Sequence, residues 1–303
     1  MATHLTKLVR IAGGFTGLNS KILNTRRLLV PVSRNFSSPA DDLKVSYLDD
    51  GGIVVLGMNR PANKNAISRN LLNLFEDAVA KVRFDNNVRV LIIRSEAPGI
   101  FCAGADLKER IQMTQEEVGP FVAKLRQAIL SFGDLPMPTI VALDGVAVGG
   151  GLEMALSCDL RVAASSAKMG LVEAKLAIIP GGGGTQRLPR LVGPSIAKEL
   201  MFTGRVLDGE EAARIGLVNH CVEQDDSQEA AYKRALELAR EIATQGPIAL
   251  RMVKKAVDKG VEVDLASGLA FEEAYYAQVI PTKDRMEGLM AFKEKRKPNF
   301  KGE

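Results

Sequence analysis

Gly149-Gly150-Gly151-Leu152-Glu153 is the first stretch whose residue types suit chemistry. Consecutive glycines let a backbone turn sharply and approach another molecule closely. If a helix starts here, the N–H groups of its first turn have no acceptor within the helix. Together with the helix dipole they attract negative charge. Glu153 falls in that same turn, so a carboxylate stands beside the anion site. The pairing suits a reaction that builds an oxyanion and moves a proton. A second acid, Glu173, stands among apolar neighbours in Lys168-Met169-Gly170-Leu171-Val172-Glu173. Half-burial there would raise its pKa, so that it holds or releases a proton near neutrality. In Gly99–Glu109, small residues again allow close approach to a ligand. The N–H of Ala105 can serve as a second oxyanion donor. The plainer alternatives are an ordinary strand-to-helix loop, with Asp106 as its cap, and a simple tight turn at Gly149.

These stretches must be held by an α/β framework. Val45 to Met58 alternates around Asp49-Asp50-Gly51-Gly52, which predicts a hairpin. Ser68 can cap a helix with Leu71, Leu72, Phe75, Val79 and Val82 on one face. Val88–Ile93 follows as a strand, giving a crossover unit. Thr114 and Glu117 form a capping-box pattern for a helix reaching about Phe132. Pro136 and Pro138 then lead to the buried strand Thr139–Leu143 and the glycine corner. A short strand reaches Val162, and Gly181–Gly184 open a further helix. No Gly-Lys-Ser/Thr follows those glycines, which excludes a nucleotide-hydrolase phosphate loop. From Asp208 the pattern is helical. Helices are expected from Asp208, over about Ser227–Ala243, after Pro247, near Asp264 and after Pro281. The last carries Met286, Leu289, Met290 and Phe292 on one face.

The chain has 303 residues, of which 46% are hydrophobic and 25% charged, an ordinary soluble composition. Its first forty residues hold Lys7, Arg10, Lys21, Arg26, Arg27 and Arg34 and no acid. Without those six cations the net charge of +4 becomes −2 for the rest, so the body exerts no general pull on nucleic acid or anionic membrane. A basic, acid-free segment rich in Ser, Thr and Asn, with Arg34-Asn35-Phe36-Ser37 resembling a matrix-peptidase site, predicts a mitochondrial presequence over 1–40 and a matrix location. No run predicts a membrane span. Cys102, Cys158 and Cys221 fit no disulfide or zinc spacing. Outside the leader the only histidine is His220, read as a structural residue of a short strand. No metal site is expected.

Phe101-Cys102-Ala103-Gly104-Ala105-Asp106, Gly149–Glu153, Gly170–Glu173 and Gly184-Thr185-Gln186-Arg187 together resemble the enoyl-CoA hydratase (crotonase) family, over about Leu43 to the C-terminus. Met169–Glu173, Lys175–Gly184, Ile280–Arg285 and Lys293–Pro298 carry a narrower likeness to a branch that also binds AU-rich RNA. The resemblance implies a crotonase-like spiral of ββα units over 41–226 and a helical trimerisation region over 227–303, assembled as a homotrimer or homohexamer. It implies Glu153 and Glu173 as the catalytic pair of a hydratase. The N–H groups of Ala105 and Gly150 would form the oxyanion hole for a 2-enoyl-CoA thioester. Ala103, Gly104, Asp106, Lys108, Phe292 and Lys295 are the expected coenzyme A contacts. Coenzyme A belongs to the substrate, and no separate cofactor is implied. RNA binding is the rival reading. It is disfavoured because Glu76 and Asp77 interrupt the cations between Lys64 and Arg83, whereas phosphate contacts need them clustered. An acyl group bearing its own carboxylate would need a cation deep in the pocket, and the sequence singles out none.

Overall fold

The computed structural model describes residues 34–35 and 42–303. Apart from the strand β1 (Arg34–Asn35), the expected presequence lies outside them. β1 pairs antiparallel with β2 (Leu43–Leu48), which turns through Asp49–Gly51 into β3 (Ile53–Met58), the expected hairpin. The Ser68 hydroxyl accepts the Leu71 N–H and starts α1 (Arg69–Arg83). The apolar face of α1 is buried, with Phe75 set edge-on against Phe132.

From here the chain repeats one pattern: a long strand, a short strand, then helix. β4 (Val90–Ser95) leads to β5 (Ile100–Cys102), α2 (Leu107–Gln112) and α3 (Gln115–Gly133). Both halves of the Thr114–Glu117 capping box are formed. β6 (Thr139–Leu143) leads to β7 (Val146–Val148) and α4 (Gly150–Ser157). β8 (Leu160–Ala164) leads to β9 (Met169–Gly170), a 3₁₀ turn at Glu173–Leu176 and α5 (Gly184–Val192). The long strands join β1, β2, β3 and the three-residue β10 (His220–Val222) in a seven-stranded sheet, ordered β1-β2-β3-β4-β6-β8-β10 and parallel from β3 onward. The short ones form a separate parallel sheet, β5-β7-β9. This is the ββα spiral that the resemblance implies.

α6 (Pro194–Thr203), α7 (Gly209–Arg214) and β10 (His220–Val222) complete the spiral, with His220 paired to Val162. α8 (Ala230–Ala243) buries Ala231, Ala235 and Ala239, small side chains that let it lie close on the large sheet. α9 (Pro247–Gly260), α10 (Leu265–Val279) and α11 (Lys283–Glu294) follow. They leave Val257, Leu265, Leu269, Met286 and Phe292 exposed. All the described elements belong to one compact unit, Pro31–Glu303. No helix among the described residues is long and apolar enough to cross a membrane.

Candidate active site

The three strands of the small sheet run parallel, so their C-terminal ends lie side by side. Loops leaving such ends commonly bind ligands. Ala105 follows β5 by three residues, Gly150 follows β7 by two, and Glu173 follows β9 by three. One sheet edge thus gathers residues spread over nearly seventy positions of sequence.

The loop after β5 is fastened to the segment before α1. Ile67 N–H donates to Gly104 O at 2.8 Å, and Asp106 N–H donates to Ile67 O at 3.1 Å. Successive N–H groups of an extended chain point to opposite sides, so that of Ala105 faces away from Ile67. Gly104 holds φ +88, a region costly to other residues. A Cβ there would lie 3.1 Å from Val148 O and 3.4 Å from Gly150 N, so glycine is what allows the two loops to touch. Gly150 is the first residue of α4, and its N–H has no acceptor within the helix. A Cβ on Gly150 would stand 3.8 Å from Ala105 N. Two backbone donors are therefore adjacent at one point.

Glu153, one turn into α4, is 2% exposed. Its Oε1 accepts from Gly182 N–H at 2.7 Å and Gly184 N–H at 2.8 Å. Burial raises its pKa, while those two bonds and the charges of Arg187 and Arg126 oppose the rise. The carboxylate is thus anchored through one oxygen.

Glu173 is held differently. It begins the 3₁₀ turn after β9, is 9% exposed, and its Oε2 is buried without a hydrogen-bond partner. A buried acceptor left unpaired costs about 1–3 kcal/mol, more if charged. Burial, helped by the negative charge of Glu153, pushes its pKa up to about 7. Its Oε1 lies 3.3 Å from where a Gly149 Cβ would stand, so it borders the turn that presents Gly150. One acid is braced by amides and its neighbour is inclined to keep a proton, an arrangement that separates base from acid. The thiol of Cys102, behind the same loop, is pushed up to about 12 by burial and is no nucleophile at neutral pH.

The raised pKa has a consequence for stability. Between about 4.5 and about 7 the folded chain holds a proton on Glu173 that the unfolded chain has lost. The contribution of Glu173 to stability therefore falls as pH rises through this window and levels off above it. Glu173→Gln mimics the protonated form. It is expected to be more stable than wild type above pH 8 by about 1–3 kcal/mol, after discounting for solvent screening, with the gain vanishing below pH 4.5. Urea unfolding at several pH values measures this, and a pH-independent difference would contradict it.

The structure thus brings together Glu153, Glu173, Ala105 and Gly150. Of the expected coenzyme A contacts, Ala103, Gly104 and Asp106 lie on the adjoining loop, and Lys108 lies in the first turn of α2. Asp106 caps α2 through the Lys108 N–H and also faces Arg60 at 3.5 Å. Phe292, 87% exposed, and Lys295 belong to the end of α11. Among the described residues, no hydrogen bond or ion pair links them to the glutamates. The sequence reading missed the Gly182 and Gly184 donors, although the four-glycine run was visible. It also missed Ile67, whose Cδ1 would lie 3.2 Å from a Gly150 Cβ and walls that side. No group of three or more His, Cys, Asp or Glu able to hold a metal occurs among the described residues.

Residues 49–303 match the family described as Enoyl-CoA hydratase/isomerase. The chain belongs to the enoyl-CoA hydratase/isomerase family. Its relatives in this family include Methylglutaconyl-CoA hydratase, mitochondrial, of Homo sapiens. The two are 62% identical over 265 residues, 87% of this chain and 78% of the human one. Enoyl-CoA hydratase domain-containing protein 2, mitochondrial, of Mus musculus is 52% identical over 289 residues, covering 91% of this chain and 98% of its own. Among solved structures, an enoyl-CoA hydratase from Bacillus anthracis superposes with a TM-score of 0.84 at 45% identity, covering 87% of this chain and 100% of that one. Family membership and the spiral thus agree over nearly the whole described chain.

Proposed function

We propose that this protein adds water reversibly to 3-methylglutaconyl-CoA, forming 3-hydroxy-3-methylglutaryl-CoA, a step of leucine degradation. The observation that carries the reading is the unequal acid pair beside two adjacent amides: Glu153 anchored on Gly182 and Gly184, Glu173 buried with a free oxygen. The choice of acyl group is supported by 62% identity to a mitochondrial methylglutaconyl-CoA hydratase.

In this mechanism the thioester oxygen accepts from Ala105 N–H and Gly150 N–H. As water adds at Cβ, charge moves onto that oxygen, and each donor stabilises it by about 3 kcal/mol. Glu153 takes the proton from the attacking water. Glu173 delivers its proton to Cα, and dehydration reverses both roles. The loop at Ala103, Gly104 and Asp106, with Lys108 at the start of α2, would receive the coenzyme A moiety, and Phe292 and Lys295 would complete its site. No separate cofactor enters the scheme.

Assembly as a homotrimer or a pair of trimers is part of the proposal, supported by the exposed apolar residues of α9 to α11. So is residence in the mitochondrial matrix after loss of residues 1–40, supported by the basic leader and the mitochondrial relatives. The division into a spiral core over 41–226 and an oligomerising region over 227–303 belongs to the same reading. AU-rich RNA binding is not favoured. In α1 Arg69 at the start is paired with Glu117, Lys81 and Arg83 stand apart from it in the last turn, and Lys124 beside the helix is paired with Glu76.

The test compares kcat/KM for 3-methylglutaconyl-CoA and crotonyl-CoA. The branched, carboxylate-bearing substrate is expected to win. If crotonyl-CoA wins, the protein is a broader short-chain hydratase, as in fatty-acid oxidation, and the narrower assignment fails.

A further inference from the structure

We infer that Arg126 is the counter-ion for a carboxylate at the far end of the acyl group. This rests on the hydratase reading above and identifies the cation which that substrate requires.

α3 places Val122, Arg126 and Ile129 at spacings of four and three, on one helix face. That face lies over the glycine loop that anchors Glu153. A Cβ at Gly181 would stand 2.9 Å from Val122 Cγ1. One at Gly182 would stand 2.6 Å from Ile129 Cδ1 and 2.8 Å from Glu153 Oε2. Two apolar side chains and one cation thus border the loop where Glu153 turns. Arg126 is exposed at the rim of this loop, and its Nε donates to Gly181 O at 2.8 Å, which keeps the guanidinium beside the loop. Among the described residues no carboxylate pairs with its two terminal nitrogens. Its charge is nevertheless felt at Glu153, where it opposes the rise caused by burial.

Of two other cations near the loop, one lines a different cavity and the other is held by an acid. Arg187 donates to Gly182 O and lines a different cavity, with Leu130, Cys158 and Asp159. Lys124 bonds Asn73 and Glu76.

A carboxylate carried one methylene beyond Cβ would come close to Glu153, which works on the water at Cβ. Two like charges so placed would raise the Glu153 pKa and weaken it as a base. A guanidinium beside them removes that conflict, and its planar fork can take both carboxylate oxygens. Val122, half-buried on the same helix face, meanwhile offers apolar contact to a branching methyl group.

The test measures Arg126→Gln and Arg126→Lys on 3-methylglutaconyl-CoA and on uncharged crotonyl-CoA, beside wild type. Loss of one charge-assisted bond predicts a fall of about 30- to 100-fold in kcat/KM for the charged substrate in Arg126→Gln, mostly through KM. Crotonyl-CoA is expected to lose less than about fivefold, through the loosened loop and the altered field at Glu153. Arg126→Lys should recover part of the loss. An equal fall on both substrates would show that Arg126 only props the glycine loop, and no fall on either would remove it from the site. Both results overturn the assignment. A wild type that turns over crotonyl-CoA but not 3-methylglutaconyl-CoA would overturn the substrate reading itself, and this assignment with it.

Discussion

Glu153→Gln is expected to lower kcat for enoyl-CoA hydration by about 10²- to 10⁴-fold, and Glu173→Gln by a similar factor. Both substitutions keep size and shape. In the first variant the amide oxygen of the new side chain can still accept from Gly182 N–H and Gly184 N–H, so α4 and the glycine loop stay joined. What disappears is the basic oxygen that takes the proton of water. In the second variant the neutral amide fits the same buried place as a protonated carboxyl, but it has no acidic proton to pass to Cα. Because the two groups act together in one addition of water, the double variant should be little worse than either single one. Loss of enoyl absorbance on hydration reads this directly. Near-normal turnover in either single variant would remove that residue from the reaction, and simple multiplication of the two losses would argue that they act independently.

The second large effect is expected from Gly104→Ala. Alanine at φ +88 costs about 1–2 kcal/mol in backbone strain. The new methyl group would also press on Val148 O, 3.1 Å away, and Gly150 N, 3.4 Å away. Relief requires the loop after β5 to move from the turn after β7. Those two pieces carry the Ala105 and Gly150 amides. Displacing one donor from an oxyanion site costs about 10²- to 10³-fold in kcat. The variant should fold, melting a few degrees lower. Because the amides act chiefly on charge that develops in the transition state, kcat should fall much more than KM rises. A folded Gly104→Ala enzyme with unchanged kcat would mean that these amides do not stabilise the thioester oxygen.

Much of this site was legible because its signals are local. Ser68, Thr114 and Asp208 announce helices through side chains that cap amides three residues on. Glu173 shows its burial through the apolar residues around it. The Gly149–Glu153 corner combines a turn with a carboxylate in five residues. What escaped was non-local. β5, β7 and β9 are two or three residues long, too short for an alternating pattern to emerge, and they exist because they pair with one another. The bonds from Gly182 and Gly184 to Glu153 span 29 and 31 residues, so the glycine run showed donors without showing their acceptor. α6 buries only Ala197 and Leu200, which leaves a faint helical period. Phe292 and Lys295 rest on the resemblance alone, and among the described residues no hydrogen bond or ion pair joins them to the acid pair.

The most direct measurement is a crystal structure with acetoacetyl-CoA bound. The account predicts its thioester oxygen at about 3 Å from both Ala105 N and Gly150 N, with the free oxygens of Glu153 and Glu173 facing the carbons next to it. A thioester seated away from those amides, or only one of the carboxyls reaching the acyl chain, would contradict it.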